Sequence, residues 1–233
     1  MFAFKQMSKT LIHGHETMTV GKARDLMKEK DIRHLPITDA AGKLVGIISD
    51  RDIRSALPSS LTESDSPYWQ DSCYLEKVGV ILGASVSTLM TKNPVRVYPF
   101  NTLQDMLLLM QRHRVGALPV VDEDGILRGI VSSGDMLAAF IEMMGIYQAG
   151  TLLCVLAPDR QGEMKKLVDT ISDEGISTGS ILVARGVEGG DRKAFFPYLL
   201  TNNVARVKQK LIEQGFEMLE PLKWYLDQLP KKS

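Results

Sequence analysis

The chain repeats itself: slid along its own sequence by 83 residues, the segment from Met7 to Ile53 overlays Met90 to Met136 without a gap. Met7 falls on Met90, Lys9 on Lys92, Thr19 on Thr102, Met27 on Met110 and Leu35-Pro36 on Leu118-Pro119. Asp39 falls on Asp122, Gly42 on Gly125, Leu44 on Leu127, Gly46-Ile47 on Gly129-Ile130, Ser49 on Ser132 and Asp52 on Asp135. A single supersecondary unit cannot bury its own apolar face, so two copies imply one pseudo-symmetric body.

Each copy reads as a capped helix, two strands joined by a tight turn, and a second helix. Thr19 precedes a helix from Val20 to Lys30 with Ala23, Leu26 and Met27 on one face, and Thr102 precedes Leu103 to His113 in the same way. Ile32 to Ile37 and Val115 to Val121 read as strands, Asp-x-x-Gly supplies the turn, and Leu44 to Ile48 and Leu127 to Val131 return. Proline cannot donate to a ladder, so the Pro36 strand is expected at an edge or to start at the proline. The apolar runs Met106 to Met110 and Met136 to Ile141 are short and charge-flanked, which predicts core-facing helix segments. Between the copies, Pro58 to Ser72 reads as a loop carrying Tyr68-Trp69, and Tyr74 to Leu82 as a short connecting helix.

The last third has a different pattern. Thr151 to Ala157 reads as a strand, Gly162 to Glu174 as a helix, Ile176 to Ala184 as a strand and Arg185 to Arg192 as a glycine-rich hairpin loop. Ala194 to Leu200, Val204 to Gln214 and Phe216 to Leu219 follow as strand, helix and strand, giving the ferredoxin-like order βαββαβ. A chain of 233 residues with 44% hydrophobic content is long enough for two such domains.

Several function classes are disfavoured. Lys plus Arg and Asp plus Glu number 28 each, and no basic patch offers nucleic acid a surface. No apolar stretch approaches the length of a membrane span, and Met1 to Thr10 lacks the apolar region of a signal peptide, so a soluble, unprocessed protein is expected. Cys73 and Cys154 show no CxxC spacing, which argues against a disulfide framework or zinc site and fits a reducing cytoplasm. His13-Gly14-His15 is at most a metal half-site, with no further His or Cys nearby in sequence and a glycine that suggests a turn, so no metal is expected. GxSxG, Walker and HExxH motifs are all missing, and no catalytic residue or catalytic cofactor is assigned.

Chemistry concentrates where each return strand meets its helix, at Gly46-Ile47-Ile48-Ser49-Asp50-Arg51-Asp52 and Gly129-Ile130-Val131-Ser132-Ser133-Gly134-Asp135. Free N–H groups at a helix start attract anions, a serine hydroxyl bonds phosphate or ribose oxygen, and a carboxylate accepts from a ribose diol. Glycine in the strand would let a ligand approach the backbone. The same Ser-x-x-Asp is also a capping box that merely satisfies the helix's own N–H groups. One copy alone favours the cap; recurrence of Ser, Asp and Gly at both positions of a pseudo-dyad favours a ligand. Arg51 can add contacts to phosphate, whereas Ser133-Gly134 leaves the second junction uncharged, so the first is expected to prefer the more phosphorylated ligand.

The paired pattern Leu-Pro-(Ile/Val)-x-Asp-x-x-Gly-x-Leu-x-Gly-Ile-(Ile/Val)-Ser-x-x-Asp resembles a tandem CBS-domain pair, or Bateman module, over residues 1 to 145. The resemblance implies two βαββα units leaving clefts for adenosine-containing ligands such as AMP, ADP, ATP or S-adenosylmethionine. It further implies that Asp52 and Asp135 hold ribose hydroxyls, that Ser49 and Ser132 contact ribose or phosphate, and that His34-Leu35-Pro36 and Ala117-Leu118-Pro119 line the base. The family often has Thr where this chain has Ser, and Thr10-Leu11 stands where the second copy has Asn93-Pro94.

The run Ala157-Pro158-Asp159-Arg160-Gln161-Gly162-Glu163-Met164 resembles the Asp-Arg-Pro-Gly-x-Leu turn of ACT domains, with Gln161 in place of Pro, over residues 148 to 222. That makes Asp159 and Gly162 candidate neighbours of an amino-acid ligand, or residues that only shape a helix entrance. A CBS pair followed by such a domain, with Ala56 to Ser59, is similar to the acetoin-utilisation proteins of the AcuB type.

The expected fold is α+β: CBS repeat 1 at 1–57, linker at 58–84, CBS repeat 2 at 85–145 and a ferredoxin-like ACT domain at 148–222. The expected function is a non-enzymatic cytoplasmic regulator that binds an adenine nucleotide and transmits the binding state to the ACT-like domain or an unknown partner protein. A homodimer, no nucleic acid and no membrane are the expected assembly and partners, with a role in acetoin or acetate metabolism. A ligand-free dimerisation scaffold is the alternative.

Overall fold

The computed structural model describes residues 2–8, 11–57, 72–187 and 191–219. The chain divides into two compact units, Met1–Leu137 and Ala138–Ser233.

In the first unit the elements are α1 (Ala3–Gln6), β1 (Gly14–His15), α2 (Val20–Glu29), β2 (His34–Thr38), β3 (Leu44–Ser49), α3 (Asp50–Ala56), α4 (Ser72–Gly83), β4 (Thr91–Lys92), α5 (Leu103–His113), β5 (Ala117–Val121) and β6 (Leu127–Ser132). A further helix, α6 (Ser133–Met144), follows β6 directly. Thr19 and Thr102 cap α2 and α5 by accepting from Lys22 N and Asp105 N, as their position before an apolar periodic run predicts. Val20, Ala23 and Met27 of α2 pack with Leu35, Ile37, Ile48 and Ile53 in one buried cluster. In β3 and β6 every second side chain is buried, while β5 is buried throughout.

The two repeats are joined by reciprocal bonds. Leu44 donates its amide to Gly125 O at 3.0 Å and Leu127 donates its own to Gly42 O at 3.1 Å, the same bond after a shift of one repeat. Both turns are shaped alike: Asp39 Oδ1 accepts from Ala41 N and Lys43 N, and Asp122 Oδ1 from Asp124 N and Ile126 N. Gly42 and Gly125 hold φ of 78° and 80°, a region that glycine enters without a Cβ clash.

The segment before each repeat crosses to the other repeat. Thr91 and Lys92 of β4 pair with Ile47 and Gly46 of β3, and Ser8 N donates to Ile130 O at 3.2 Å. Met90 then packs over Gly46, and Met7 over Gly129, where a Cβ would meet the Met7 sulfur at 2.7 Å. The expectation that these glycines give a ligand access to the strand is therefore corrected, because methionine side chains occupy that space.

Pro36 lies in an inner strand, since the sheet order is β1-β2-β3-β4. The edge expectation is corrected for the strand but holds at the residue. β1 pairs only with Ile37 and Thr38, so the missing Pro36 N–H faces no partner strand. The connecting helix α4 is longer than expected and packs on α2, with Gly21 giving room to Leu82. Tyr68-Trp69 lies outside the described residues. The apolar helix runs bury only one face: Met106 and Met136 are inside, but Leu108 is 60% and Leu137 61% exposed.

The second unit contains β7 (Thr151–Leu152), β8 (Val155–Pro158), α7 (Glu163–Asp173), β9 (Thr178–Val187), β10 (Arg192–Leu199), α8 (Ala205–Glu213) and β11 (Glu217–Met218). β10 pairs with β7 and β8 along one edge and with β9 along the other, β11 adds to β8, and every neighbour is antiparallel. The single strand expected over Thr151 to Ala157 is split. Leu153 N still donates to Pro197 O, but Pro197 has no N–H to return, so the ladder is interrupted there. One sheet face carries Leu153, Val155, Phe195 and Leu199 against Leu167 and Ile171 of α7 and Val207 and Leu211 of α8.

Candidate functional site

Each return strand ends in the same small network. Ser49 is the N-cap of α3; its N–H and Oγ both donate to Asp52 Oδ2, at 2.8 and 2.7 Å, and its Oγ accepts from Asp52 N at 3.3 Å. In the second repeat the corresponding distances for Ser132 and Asp135 are 2.7, 2.7 and 3.3 Å. The capping box is thus formed in both copies. Both serine bonds converge on one carboxylate oxygen, so Oδ1 of Asp52 and of Asp135 takes neither of them. A carboxylate has about four lone-pair sites, so the cap and a ribose contact can coexist.

The start of the preceding strand lies beside each junction. His34 stands opposite Ser49 in the β2–β3 ladder, and Ala117 opposite Ser132 in β5–β6. Asp50 N donates to Arg33 O at 3.0 Å and Ser133 N to Gly116 O at 2.9 Å, so the equivalence extends through the backbone. Leu35 and Leu118 are fully inaccessible, and Pro36, Ala117 and Pro119 are buried. What these five residues present to a cleft is mainly backbone, since their side chains belong to the core.

The junctions differ in charge. Arg51 is exposed in the first, where the second has Gly134; Asp50 is held by Arg54 at 2.9 Å. His34 is half-buried, and its ring lies against Gly116 of the other repeat. Burial holds the imidazole below its ordinary value; Asp52 opposes that effect, and the guanidinium groups of Arg51 and Arg33 reinforce it. Sequence reasoning singled out His34 but missed Gly116. The signal was present, because Gly116 is the position that Arg33 fills in the first repeat.

The other candidates are placed apart from these junctions. His13 Nδ1 bonds Thr38 Oγ1 and His15 Nδ1 bonds Thr17 Oγ1, each at 3.0 Å. Among the described residues there is no cluster of three or more His, Cys, Asp or Glu suited to a metal. Burial raises the Cys154 thiol above its ordinary value, which disfavours a reactive thiolate. In the second unit, the Asp159 carboxylate pairs with Lys193, and Gly162 caps α7 with φ of 98°. A concavity of about 660 Å³ there is lined by Pro158, Asp191, Arg192, Ile212, Phe216 and Glu217 among others, and neither Asp159 nor Gly162 lines it. No helix among the described residues is long and apolar enough to cross a membrane.

Comparison with known proteins places the repeats in a family. The model of the CBS domain matches residues 4–59 and 86–142. A CBS domain-containing protein of Dictyostelium discoideum is 34% identical over 140 residues, 59% of this chain and 90% of that protein. Other relatives are longer, and the chain spans only 22% of a homoserine O-acetyltransferase from Methanococcus vannielii. Among solved structures, CBSX2 in complex with AMP is 28% identical with a TM-score of 0.50, covering 61% of this chain and 97% of that one. A structure described as an acetoin utilization protein (AcuB) from Vibrio cholerae is 27% identical with a TM-score of 0.50, covering 63% and 95%.

Proposed function

This chain belongs to the family of CBS domain-containing proteins, and from that premise we propose that it is a regulatory protein whose two Ser–Asp junctions bind an adenine nucleotide. The observation that carries the reading is the recurrence of one network, Ser49 with Asp52 and Ser132 with Asp135, at equivalent positions of the two repeats. Asp52 and Asp135 hold the ribose diol through their second carboxylate oxygens, and Ser49 and Ser132 contact ribose or phosphate. The backbone of His34-Leu35-Pro36 and Ala117-Leu118-Pro119 lines the base. Arg51 makes the first junction the better site for a phosphorylated ligand. The AMP bound in the related CBSX2 structure supports an adenosine monophosphate as the first ligand to try.

Residues 1–57 and 85–145 act as the two repeats around a linker at 58–84, and 148–222 act as an ACT-like domain in which Asp159 and Gly162 border an amino-acid ligand. Ligand binding favours one arrangement over another by differential affinity, and a homodimeric assembly in the cytoplasm passes that preference to a partner protein. Likeness to the Vibrio structure supports a role in acetoin or acetate metabolism. The chain carries out no reaction in this reading.

Isothermal titration of nucleotide-stripped protein with AMP, ADP, ATP and S-adenosylmethionine tests it. Binding that Asp52→Ala and Asp135→Ala each weaken supports the sensor and assigns the sites. The second reading, a ligand-free scaffold, is favoured by the closed Ser–Asp caps, and saturation by none of the four ligands would establish it.

A further inference from the structure

His34 sits at the seam between the repeats. A Cβ on Gly116 would lie 3.2 Å from its Cε1 and 3.3 Å from its Nε2, so the ring has its place because the second repeat has no side chain there. Arg33 precedes it, the charges of Arg51 and Asp52 in α3 act on it, and Ser49 faces it across the β2–β3 ladder with its hydroxyl tied to Asp52. Gly116 contributes no charge, and the equivalent position in the second junction is Ala117.

We propose that His34 is a specificity-determining residue of the first junction: it takes a proton from solvent when the bound adenosyl ligand carries a phosphate and stays neutral when the ligand does not. The proposal rests on the reading that the Ser49–Asp52 junction binds an adenine nucleotide. Without a bound phosphate, burial and two guanidinium groups favour the neutral ring against the pull of Asp52. A phosphate beside Arg51 cancels that guanidinium's repulsion and adds an attraction of its own, so the imidazolium becomes the favoured form. The proton taken up strengthens phosphate binding in turn, because linkage is reciprocal. The first junction therefore discriminates AMP from adenosine more strongly as pH falls towards 6.5. The second, with Ala117 and Gly134, has no such group.

The test is an NMR titration of the histidine side chains of this chain, which has four, with His34→Gln to identify the resonance. The probes are no ligand, saturating AMP and saturating adenosine. The expected result is a rise of the His34 midpoint by about one pH unit or more with AMP and almost none with adenosine. In parallel, the AMP-to-adenosine affinity ratio should rise several-fold between pH 8 and 6.5 in the wild type and more weakly in His34→Gln. AMP's own phosphate titrates near pH 6 in both proteins, so the difference between them isolates the ring. Should His34→Gln fold poorly, Gly116→Ala crowds the same ring without changing any charge and is expected to reduce the AMP-induced rise. A His34 midpoint that AMP leaves unmoved, or an identical affinity profile in His34→Gln, overturns the proposal while the site stands. Failure of AMP and adenosine to bind the wild type overturns the site and the proposal together.

Discussion

Met7 packs its side chain over Gly129, with its Cβ and Cγ 3.0 and 3.1 Å from where a Cβ on the glycine would lie. The first residues of one repeat thus close the sheet of the other, and Met90 does the same over Gly46. These exchanged methionines and the paired turns both join the two copies. Replacing Gly129 by Val is expected to destabilise the first unit by about 1–3 kcal/mol through overpacking. Chemical denaturation should show that loss, and Met7→Ala should recover part of it, since residues in direct contact are not additive. Full additivity of the two changes would mean that the contact is not formed.

The capping boxes separate stability from binding. Ser132→Ala removes the acceptor for Asp135 N and is expected to cost about 1 kcal/mol, the usual value of a lost N-cap. Ser132→Thr keeps the hydroxyl and should be close to neutral. Equilibrium unfolding measures the cap, and nucleotide titration of the same variants measures the site. A ligand-binding loss in Ser132→Ala far larger than its stability loss is expected if the hydroxyl also meets the ligand.

Glu174, at the end of α7, is gripped by two cations of α8. Lys210 donates to its carboxylate, and Arg206 Nε lies 3.1 Å from it, while the Glu174 side chain is only 8% exposed. The Lys210 hydrogen bond, chiefly, with the Arg206 and Lys210 charges, holds the carboxyl below its ordinary value against the opposing effect of burial. A carboxylate depressed in the folded state contributes stability above its unfolded pKa and loses it as pH falls through the folded one. The stability difference between wild type and Glu174→Gln should therefore be largest near neutrality and shrink on acidification below about pH 4.3. Denaturation at a series of pH values checks this, and a difference independent of pH would show that the pair contributes nothing through charge.

Arg114 ends α5 in the left-handed region, with φ of 54°, and its counterpart Asp31 follows α2 with φ of 51°. A side chain with a Cβ pays a steric cost there. Arg114→Gly is expected to raise stability by about 0.5 kcal/mol, the steric relief exceeding the entropy that glycine loses. Arg114→Val should lower stability by about 1 kcal/mol or more. Thermal unfolding of the pair reads both signs, and equal midpoints would contradict the strain.

The repeat, its turns and its caps were legible because each depends on residues close together in sequence. Asp39 to Gly42 make their turn with their own backbone and the Asp39 carboxylate, and Thr19 needs only Lys22 to become a cap. The split between β7 and β8 was not legible. It originates at Pro197, more than forty residues away, and only pairing reveals which residue a missing donor deprives. The glycines of β3 and β6 were recognised as places of close approach, but what approaches them could not be read.

By itself, the sequence determined that two like units exist, where their helices start, and that a serine and a carboxylate stand together at each strand-to-helix junction. These follow from local hydrogen bonding and from periodicity, which a chain carries wherever it goes. The tertiary structure alone decided that Met7 and Met90 exchange places, that Leu35 and Leu118 turn their side chains into the core, and that His34 lies over Gly116. Such contacts join residues tens of positions apart. Which of them forms depends on burial and on the space left by the other repeat, and no local preference encodes that space.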